Sequence, residues 1–370
     1  MTAHDIVGGV VWGQIMVLMA ALIFAVFELF YALTGARRHF QTRRRVGYAV
    51  CMSVLLLPLA MPLIMATPYA VSVNATDAVV AQYLKGNISI SAMEMNRIVE
   101  FRASLVNDIA LGTSVIGKGL LAIFLTAAVF RSAYLGMNFM RIRRAIGGGE
   151  VIRKTRRLTV VASPDISVPF STRGPWRHYV VVPESMTKDR AALAMSLGHE
   201  LQHIRQGDVT AEVMISLASP IYVLNPGYWY LAGRVRKLGE LTCDRAYLAR
   251  RLQDAHSYSL RLLNIARSAA KVRRQPSAFG VALTGRALPW RGSKSMLKSR
   301  ILEIAREIDH PARETKWVGL MLSAVLSLAI VGAATSLSKP ADWSHERIML
   351  STVVNLERID QLNTLAQRSW

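Results

Sequence analysis

The stretch TKDRAALAMSLGHELQHIRQ, residues 187–206, decides the architecture of the central part of this chain. It contains no proline, and apolar residues recur in it at three- and four-residue spacing, beginning with Leu193 and Leu197. This spacing predicts an amphipathic helix. Thr187 is the expected N-cap of the helix, and Gly207 is its expected C-terminal stop.

The same helix carries a His-Glu-x-x-His motif. His199 and His203 lie one turn apart on one face, so both imidazoles can bind a single tetrahedral metal ion. Glu200 lies beside them and can act as general base on a water at that metal. The alternative is a pair of ordinary half-buried histidines, but the intervening glutamate favours a zinc site. The motif still requires a third protein ligand.

The composition of the whole chain is that of a membrane protein. Hydrophobic residues make up 52% of the 370 residues and the mean hydropathy is +0.28, yet the formal net charge is +21. This combination fits neither an ordinary soluble domain nor a disordered chain. Four apolar runs are long enough to cross about 30 Å of hydrocarbon, although each could instead be a buried core helix. They are residues 11–33, about 46–69, about 109–130, and 317–337.

Positive charges orient these four predicted spans. Arginines follow the first and the third span, so both of these ends face the cytoplasm by the positive-inside rule. Residues 1–137 then form a membrane region with an external N-terminus, residues 138–316 form one cytoplasmic domain, and residues 338–370 form a short external tail. The first nine residues contain no Lys or Arg, which argues against a cleaved signal peptide.

Two pairs of side chains allow predictions about tertiary contacts. Glu28 and Arg131 lie at similar depth near the cytoplasmic boundary, so we expect them to pair between the first and third spans; the alternative is that Arg131 extends alone to the interface. Cys51 falls in the second span and Cys243 in the cytoplasmic domain. Because these positions lie in different media, we expect no disulfide.

The cytoplasmic domain begins with strand-like sequence. Residues 156–163 (RRLTVVAS) and 178–184 (HYVVVPE) are β-branched and predict two strands, joined by a turn-rich connection at 168–176. The glycines at 147–149 are typical of a flexible joint. The second strand could offer a free edge to an extended substrate, or it could be a simple core strand.

Glu240 is the best-placed third ligand. It lies in a helical pattern at residues 235–253, whereas Asp208 follows the motif too closely to return over His199. Asp244, one turn after Glu240, shares its face and could orient a ligating imidazole. Cys243 turns to a neighbouring face and is a second candidate ligand.

Other parts of the domain are less specific. His256, Tyr258 and Tyr247 are candidate oxyanion stabilisers, although each could equally be structural. Residues 209–232 are apolar but interrupted by prolines, which favours two helices or a hairpin against the bilayer over a clean span. The basic segment 271–300 is expected to be an exposed loop and a candidate for self-cleavage.

Three stretches together resemble the BlaR/MecR-type membrane zinc peptidases of the gluzincin clan. They are SVPFSTRGPWRHYVVVPE at 167–184, HELQHIRQGD at 199–208, and LNPGYWYLAGRVRKLGELTCDRAYL at 224–248. The resemblance implies one Zn²⁺ per chain bound by His199, His203 and Glu240. It also implies Glu200 as general base and Asp244 as the residue that supports a ligand.

The resemblance also implies a role in signalling. In such proteins an external stimulus activates a cytoplasmic zinc domain, and proteolysis, of the protein itself or in a repressor pathway, relieves gene repression. The resemblance also implies that this chain lies in a bacterial inner membrane. The tail after the fourth span has no Ser-x-x-Lys motif and is too short for a penicillin-binding sensor domain. The stimulus is therefore open.

We expect a helical membrane protein with four transmembrane helices and an inserted cytoplasmic α+β domain that hydrolyses peptide bonds in a protein substrate. Two alternatives are a quality-control peptidase of the HtpX kind and a non-catalytic receptor with a structural zinc. No direct contact with nucleic acid is expected, because anionic lipid headgroups explain the basic clusters near the spans.

Overall fold

The computed structural model describes residues 3–34, 36–65, 75–251, 255–272, 293–309, 316–336 and 345–368. These residues form a mostly helical protein with one small sheet. The helices are α1 (Ala3–Leu33), α2 (Phe40–Met65), α3 (Ala75–Leu84), α4 (Ala92–Leu111), α5 (Val115–Gly147), α6 (Arg190–Gln206), α7 (Asp208–Ala218), α8 (Pro226–Arg251), α9 (Ala255–Val272), α10 (Ser293–Asp309), α11 (Lys316–Ser336) and α12 (His345–Arg368). The strands are β1 (Glu150–Lys154), β2 (Leu158–Ser163), β3 (Phe170–Arg173) and β4 (His178–Pro183).

Three of the described helices are long and apolar enough to cross a membrane. They comprise residues His4–Leu33 in α1, Val115–Gly147 in α5 and Trp317–Ser336 in α11. The predicted second span lies in α2, but this helix begins with a polar, arginine-rich turn and is not among the three; residues 66–69 of that prediction lie outside the described part.

The start of the third predicted span was wrong. Residues 109–111 belong to α4, which ends at Gly112 in the left-handed conformation, and α5 starts only at Val115. The Ser114 hydroxyl accepts a hydrogen bond from the Gly117 amide at 2.9 Å, which caps the new helix. α5 then continues as one helix to Gly147, well beyond the predicted end.

One compact unit contains residues 1–20, 52–125 and 325–370. In it, the amphipathic pattern of the C-terminal tail forms α12, which packs against α3 and α4. Val80, Met95 and Leu350 form the buried centre of this contact, and Glu357 accepts a hydrogen bond from the Ala92 amide at 3.0 Å. Part of the apolar face of the tail is thus covered by helices of the chain itself, whereas Ile348, Leu356 and Ile359 are exposed.

The other compact unit contains residues 21–51 and 126–324, and it includes the sheet. The strand order is β1-β2-β4-β3, with β2 and β4 parallel and the outer pairs antiparallel. Both predicted strands are present, but β3 forms within the stretch expected to be a turn-rich connection. β4 is therefore an inner strand, as in the second of the two alternatives, and β3 occupies the edge of the sheet.

Both faces of the sheet are covered. Val160 and Val180 face α6, where Leu193 and Leu197 pack on them. The alternate residues of the same strands face the end of α5. The glycine segment that joins α5 to β1 is not a loose joint, because a Cβ on Gly149 would lie 2.5 Å from the Ala162 carbonyl oxygen.

The motif helix α6 is shorter at its start than expected. Asp189, not Thr187, is the N-cap: its carboxylate accepts hydrogen bonds from the amides of Ala191 and Ala192, both at 3.0 Å. A 3₁₀ turn over Glu184–Lys188 precedes it. The helix ends at Gly207 as predicted, with a φ of 77° that a side chain would disfavour.

The expected pair of Glu28 and Arg131 does not form. Glu28 accepts hydrogen bonds from Arg43 at 2.7 and 2.6 Å and from Arg234 on α8. Arg131 donates to the Ser219 hydroxyl at 2.7 Å and lies over the ring of Trp229. Arg43 lies on α2, Arg234 and Trp229 lie on α8, and Ser219 follows α7, so tertiary packing determines these partners.

Candidate metal centre

Helix α6 brings the two motif histidines together. The Nε2 atoms of His199 and His203 lie 3.2 Å apart, and the rings meet edge to face at 86°. Their side chains are only 12% and 13% exposed. A glycine precedes His199 because the ring of Tyr247 occupies the space where a side chain on Gly198 would lie, with a Cβ contact of 2.3 Å. This close approach locks α6 against α8.

Helix α8 places the Glu240 carboxylate opposite the two imidazoles. Its oxygens lie 3.6 Å from His199 Nε2 and 3.5 Å from His203 Nε2. Two nitrogens that bind one tetrahedral zinc at usual bond lengths lie about 3.3 Å apart, and a nitrogen and an oxygen lie about 3.4 Å apart. The three donors therefore fit one small cation with little movement.

Cys243 also approaches the histidines. Its ligating atom and those of His199 and His203 all lie within 4.8 Å of one another. Its thiol donates to the backbone carbonyl of His199 at 3.3 Å. Each candidate also has another partner, since the thiol bonds to the His199 carbonyl and the Glu240 carboxylate lies 2.8 Å from Arg300. Glu240 can present an oxygen to each histidine, and Cys243 is the second candidate for the third donor.

His199 is oriented by groups from α8, α9 and α10. Its Nδ1 atom lies 3.2 Å from the Tyr258 hydroxyl and 3.4 Å from Asp244 Oδ1. Tyr258 donates to Asp244 at 2.6 Å, and Arg300 donates to both oxygens of Asp244 at 2.7 and 2.6 Å. Arg300 also lies 2.8 Å from Glu240. With Nδ1 bonded, Nε2 is the nitrogen that is free to bind a metal.

His203 is oriented from a different direction. Its Nδ1 atom lies 2.9 Å from Asp208 Oδ2, at the start of α7. The other oxygen of Asp208 binds Arg44 and accepts a hydrogen bond from the Tyr48 hydroxyl at 3.1 Å, and both of these residues lie on α2. Each histidine thus has its own buried carboxylate, and each carboxylate has its own arginine and tyrosine.

The electrostatics of the cluster favour a cation. Burial alone would lower the pKa of His199, but Cys243 and Glu240 raise it to about 10. Burial likewise opposes the charge on Glu240, yet Arg300 and the two imidazoles hold the pKa of this carboxyl well below its usual range. A site that raises histidine pKa values in this way stabilises positive charge at the imidazoles, and a metal ion would supply that charge.

The remaining candidates occupy different places. Glu200 is half-buried on α6 beside the histidines. Tyr247 packs its ring 5.4 Å from that of Tyr258, inside a core that includes Met195. His256 is exposed on α9. Of the three residues considered for the oxyanion, Tyr258 has its hydroxyl at His199, where it lies on the Nδ1 side.

Comparison with known proteins agrees with this site. A family model described as "BlaR1 peptidase M56" matches residues 11–301. The chain belongs to this family. A curated relative, "Regulatory protein BlaR1" of Bacillus licheniformis, is 31% identical over 100 residues, which cover 27% of this chain and 16% of that protein. Membership of this M56 family, together with the apolar helices and the histidine cluster, indicates a membrane-associated metallopeptidase.

Sequence reasoning did not find three of the residues that surround the histidines. Asp208 was set aside because it follows the motif too closely to return over His199. It lies five residues after His203, however, and it does reach that histidine. Arg300 lay in a segment interpreted as an exposed loop, of which residues 273–292 lie outside the described part. The positive charge of Arg44 was the one sequence feature that could have indicated a role at the site, and that charge suited a membrane-flanking loop equally well.

Proposed function

We propose that this M56 peptidase is a membrane-anchored zinc endopeptidase that cleaves a protein substrate on the cytoplasmic side. The observation that carries the proposal is the convergence of His199, His203 and Glu240 at tetrahedral spacing, with both Nδ1 atoms held by carboxylates. A structural zinc normally has four protein ligands, whereas this set leaves a position for water and substrate.

His199, His203 and Glu240 would hold the zinc, and Cys243 is the alternative to Glu240. When bound, zinc acidifies water and polarises a peptide carbonyl. Asp244 and Asp208 keep Nε2 of each imidazole directed at the ion. Arg300 neutralises Asp244 and holds Glu240 in place, because it bonds to both. The buried carboxylates therefore act by orienting the ligands.

Glu200 takes the general-base role in this proposal. Its carboxylate accepts the proton of the attacking water and then delivers it to the amine that leaves. Tyr258 is assigned as a positioning residue, because its hydroxyl donates to Asp244 and is directed at His199 Nδ1. Tyr247 supports α6 through Gly198, and His256 is given no catalytic role.

The edge strand β3 is the proposed docking strand for substrate. It pairs on one side with β4, and Arg173 at its end donates to Thr210 on α7 at 2.7 Å. An extended peptide can add to such an edge through backbone hydrogen bonds. The edge role considered as one alternative for β4 is thus proposed for β3.

The topology proposed for the chain has four membrane crossings. α2 would provide the second crossing, in addition to the three apolar helices α1, α5 and α11. Positive charge after α1 and along the end of α5 supports a cytoplasmic peptidase domain at 138–316, with residues 1–137 and 317–337 in the bilayer and 338–370 outside. The proposed location is the bacterial inner membrane.

The proposed biological role is signalling by cleavage of a transcriptional repressor or of the chain itself. The proposal is supported by the family and by the name of the relative, a regulatory protein. The segment 273–292, between α9 and α10, is the expected position of a self-cleavage site, since it is rich in basic residues and small side chains.

Replacement of Glu200 tests the enzymatic proposal. We expect purified Glu200→Gln to retain about one zinc per chain and to lose peptide hydrolysis by at least about 10³-fold, because the ligands remain and the base is lost. Zinc is measured by atomic emission and hydrolysis with a quenched fluorescent peptide library. Full activity of this variant with zinc bound would contradict the proposal.

Paired variants on α8 identify the third ligand. Glu240→Gln is expected to weaken zinc binding by about 100-fold or more, because the charged oxygens are lost, whereas Cys243→Ser should retain the metal. Competition with a chromophoric chelator measures both affinities. The reverse order would assign the ligand to Cys243 and leave Glu240 as the partner of Arg300.

A further inference from the structure

A strongly basic pocket lies beside the metal centre, in the same compact unit. It has a volume of about 930 Å³ and lies between α2, α6, α8 and the start of α11. Of the described residues that line it, none is a carboxylate. Five are arginines: Arg44, Arg45, Arg205, Arg245 and Arg250.

Arg44 is paired with Asp208, and Arg245 donates to the Arg38 carbonyl at 3.3 Å. Five guanidinium groups around one pocket still give it a positive potential that attracts anions. Arg44 is 5% exposed, and its Nε–H has no hydrogen-bond partner among the described residues. A buried donor without a partner is costly, so a ligand with oxygen acceptors would satisfy a real deficit.

We propose that this pocket binds a phosphate-bearing anion. The planar donor fork of arginine matches the oxygens of a phosphate group, and several such forks around one pocket give charge-assisted hydrogen bonds from more than one side. Gln41 and Gln202 add uncharged polar groups to the same wall. The recognised chemistry is the phosphate group, whether it is part of a phospholipid headgroup or is free phosphate.

The wall next to α11 points to the headgroup as one source. Leu320 and Ser323 line the pocket, and both lie within the apolar stretch Trp317–Ser336, which is long enough to cross a membrane. A phospholipid whose chains lie along this helix would bring its phosphate to the arginines. The basic pocket and the apolar helix thus suit the two ends of one molecule.

The pocket shares a residue with the support of His203. Arg44 lines the pocket and also binds Asp208, which accepts from His203 Nδ1 at 2.9 Å. An anion that bonds to the Nε–H of Arg44 leaves its contact with Asp208 in place and restricts the arginine further. The bound anion therefore stabilises the orientation of one histidine of the metal centre. Anion binding itself does not depend on peptidase activity.

The test is a titration of the purified full-length protein in a nonionic detergent with phosphatidylglycerol, and in parallel with phosphatidylcholine and with inorganic phosphate. Binding is counted by native mass spectrometry and quantified by the thermal shift. We expect saturable binding of one phosphatidylglycerol, at least tenfold tighter than phosphatidylcholine. Displacement of this lipid by millimolar inorganic phosphate would identify a free anion as a competent ligand, and resistance to displacement would identify the headgroup.

Matched variants locate the binding. Arg205→Gln combined with Arg250→Gln removes two charges from the pocket, and Arg156→Gln combined with Arg157→Gln removes two exposed charges elsewhere. The pocket pair should weaken phosphatidylglycerol or phosphate binding at least about tenfold, and the control pair less than about twofold. Arg250→Lys, which keeps the charge but loses the fork, should give an intermediate loss. Equal effects of the two pairs, or binding that never saturates for either probe, would overturn the proposal.

Discussion

The two histidines of the metal centre are supported from opposite directions. His199 bonds to Asp244 and Tyr258, and this pair is completed by Arg300 on α10. His203 bonds to Asp208, which is completed from α2. Both supports have the same composition of one aspartate, one tyrosine and one arginine. They differ in where their arginine comes from and in what else it binds.

That difference separates two tasks within one site. Arg300 also contacts Glu240, so the support of His199 is linked to the third donor of the metal centre. Arg44 instead lines the basic pocket and, besides Asp208, donates to the Gln206 carbonyl at 3.4 Å. We infer that the His199 side holds the ligand set together, whereas the His203 side connects it to the helix that we propose as the second membrane crossing. Variants of corresponding residues on the two sides test this difference.

The largest effect is expected from Asp244→Asn. The carboxylate is 2% exposed and accepts bonds from Tyr258 and from two nitrogens of Arg300. In the variant, Glu240 would be the one carboxylate partner that the described residues offer to the buried Arg300 guanidinium. Arg300 would then draw Glu240 away from the metal. We expect a loss of about 100-fold in zinc affinity, measured by chelator competition. A loss below about threefold would show that Arg300 does not link the two donors.

Asp208→Asn should weaken zinc binding less than Asp244→Asn does, by about tenfold. His203 would lose its charged acceptor, but Arg44 faces a pocket in which an anion can replace the missing charge. The loss should therefore be smaller in phosphatidylglycerol-containing nanodiscs than in phosphatidylcholine alone. An Asp208 effect equal to that of Asp244 in both lipids would remove the distinction between the two sides.

The contrast between the two sides also shows what sequence could predict. The zinc helix and its C-terminal stop followed from local spacing, because His199, Glu200 and His203 lie within one helical turn. Glu240 required a second helix to fold back, and a suitable helical pattern was visible. The carboxylate of Asp208 was visible too, but its contact with His203 depends on the left-handed conformation of Gly207 between α6 and α7.

The arginines could not be assigned from sequence for a physical reason. A basic residue near a membrane span serves equally well on the surface, and only tertiary packing buries it. Arg44 and Arg300 lie 164 and 56 positions from their aspartates. Similarly, β3 is four residues long and lies next to a glycine-proline turn, so its strand character comes from pairing with β4 and not from its own sequence.

The smallest losses of zinc affinity are expected from replacing Tyr258 and Tyr48. Which of the two losses is larger also tests the difference between the two sides. Tyr258→Phe removes a 2.6 Å bond to Asp244 and a 3.2 Å contact with His199 Nδ1. Burial and the neighbouring Asp244 raise the pKa of Tyr258, so its hydroxyl stays protonated and remains a donor at neutral pH. We expect a three- to tenfold loss of zinc affinity. The hydroxyl lies on the Nδ1 side, so kcat at saturating zinc should change by less than about threefold.

Tyr48→Phe removes a single 3.1 Å hydrogen bond to Asp208, which still binds Arg44. The loss of zinc affinity should therefore be below about threefold. Comparing the two variants at saturating zinc separates ligand orientation from chemistry. A kcat loss of 100-fold or more in Tyr258→Phe, with normal zinc affinity, would make Tyr258 a catalytic residue that stabilises the oxyanion. Its hydroxyl would then have to leave Asp244 during turnover, and the His199 side would be the mobile half of the site.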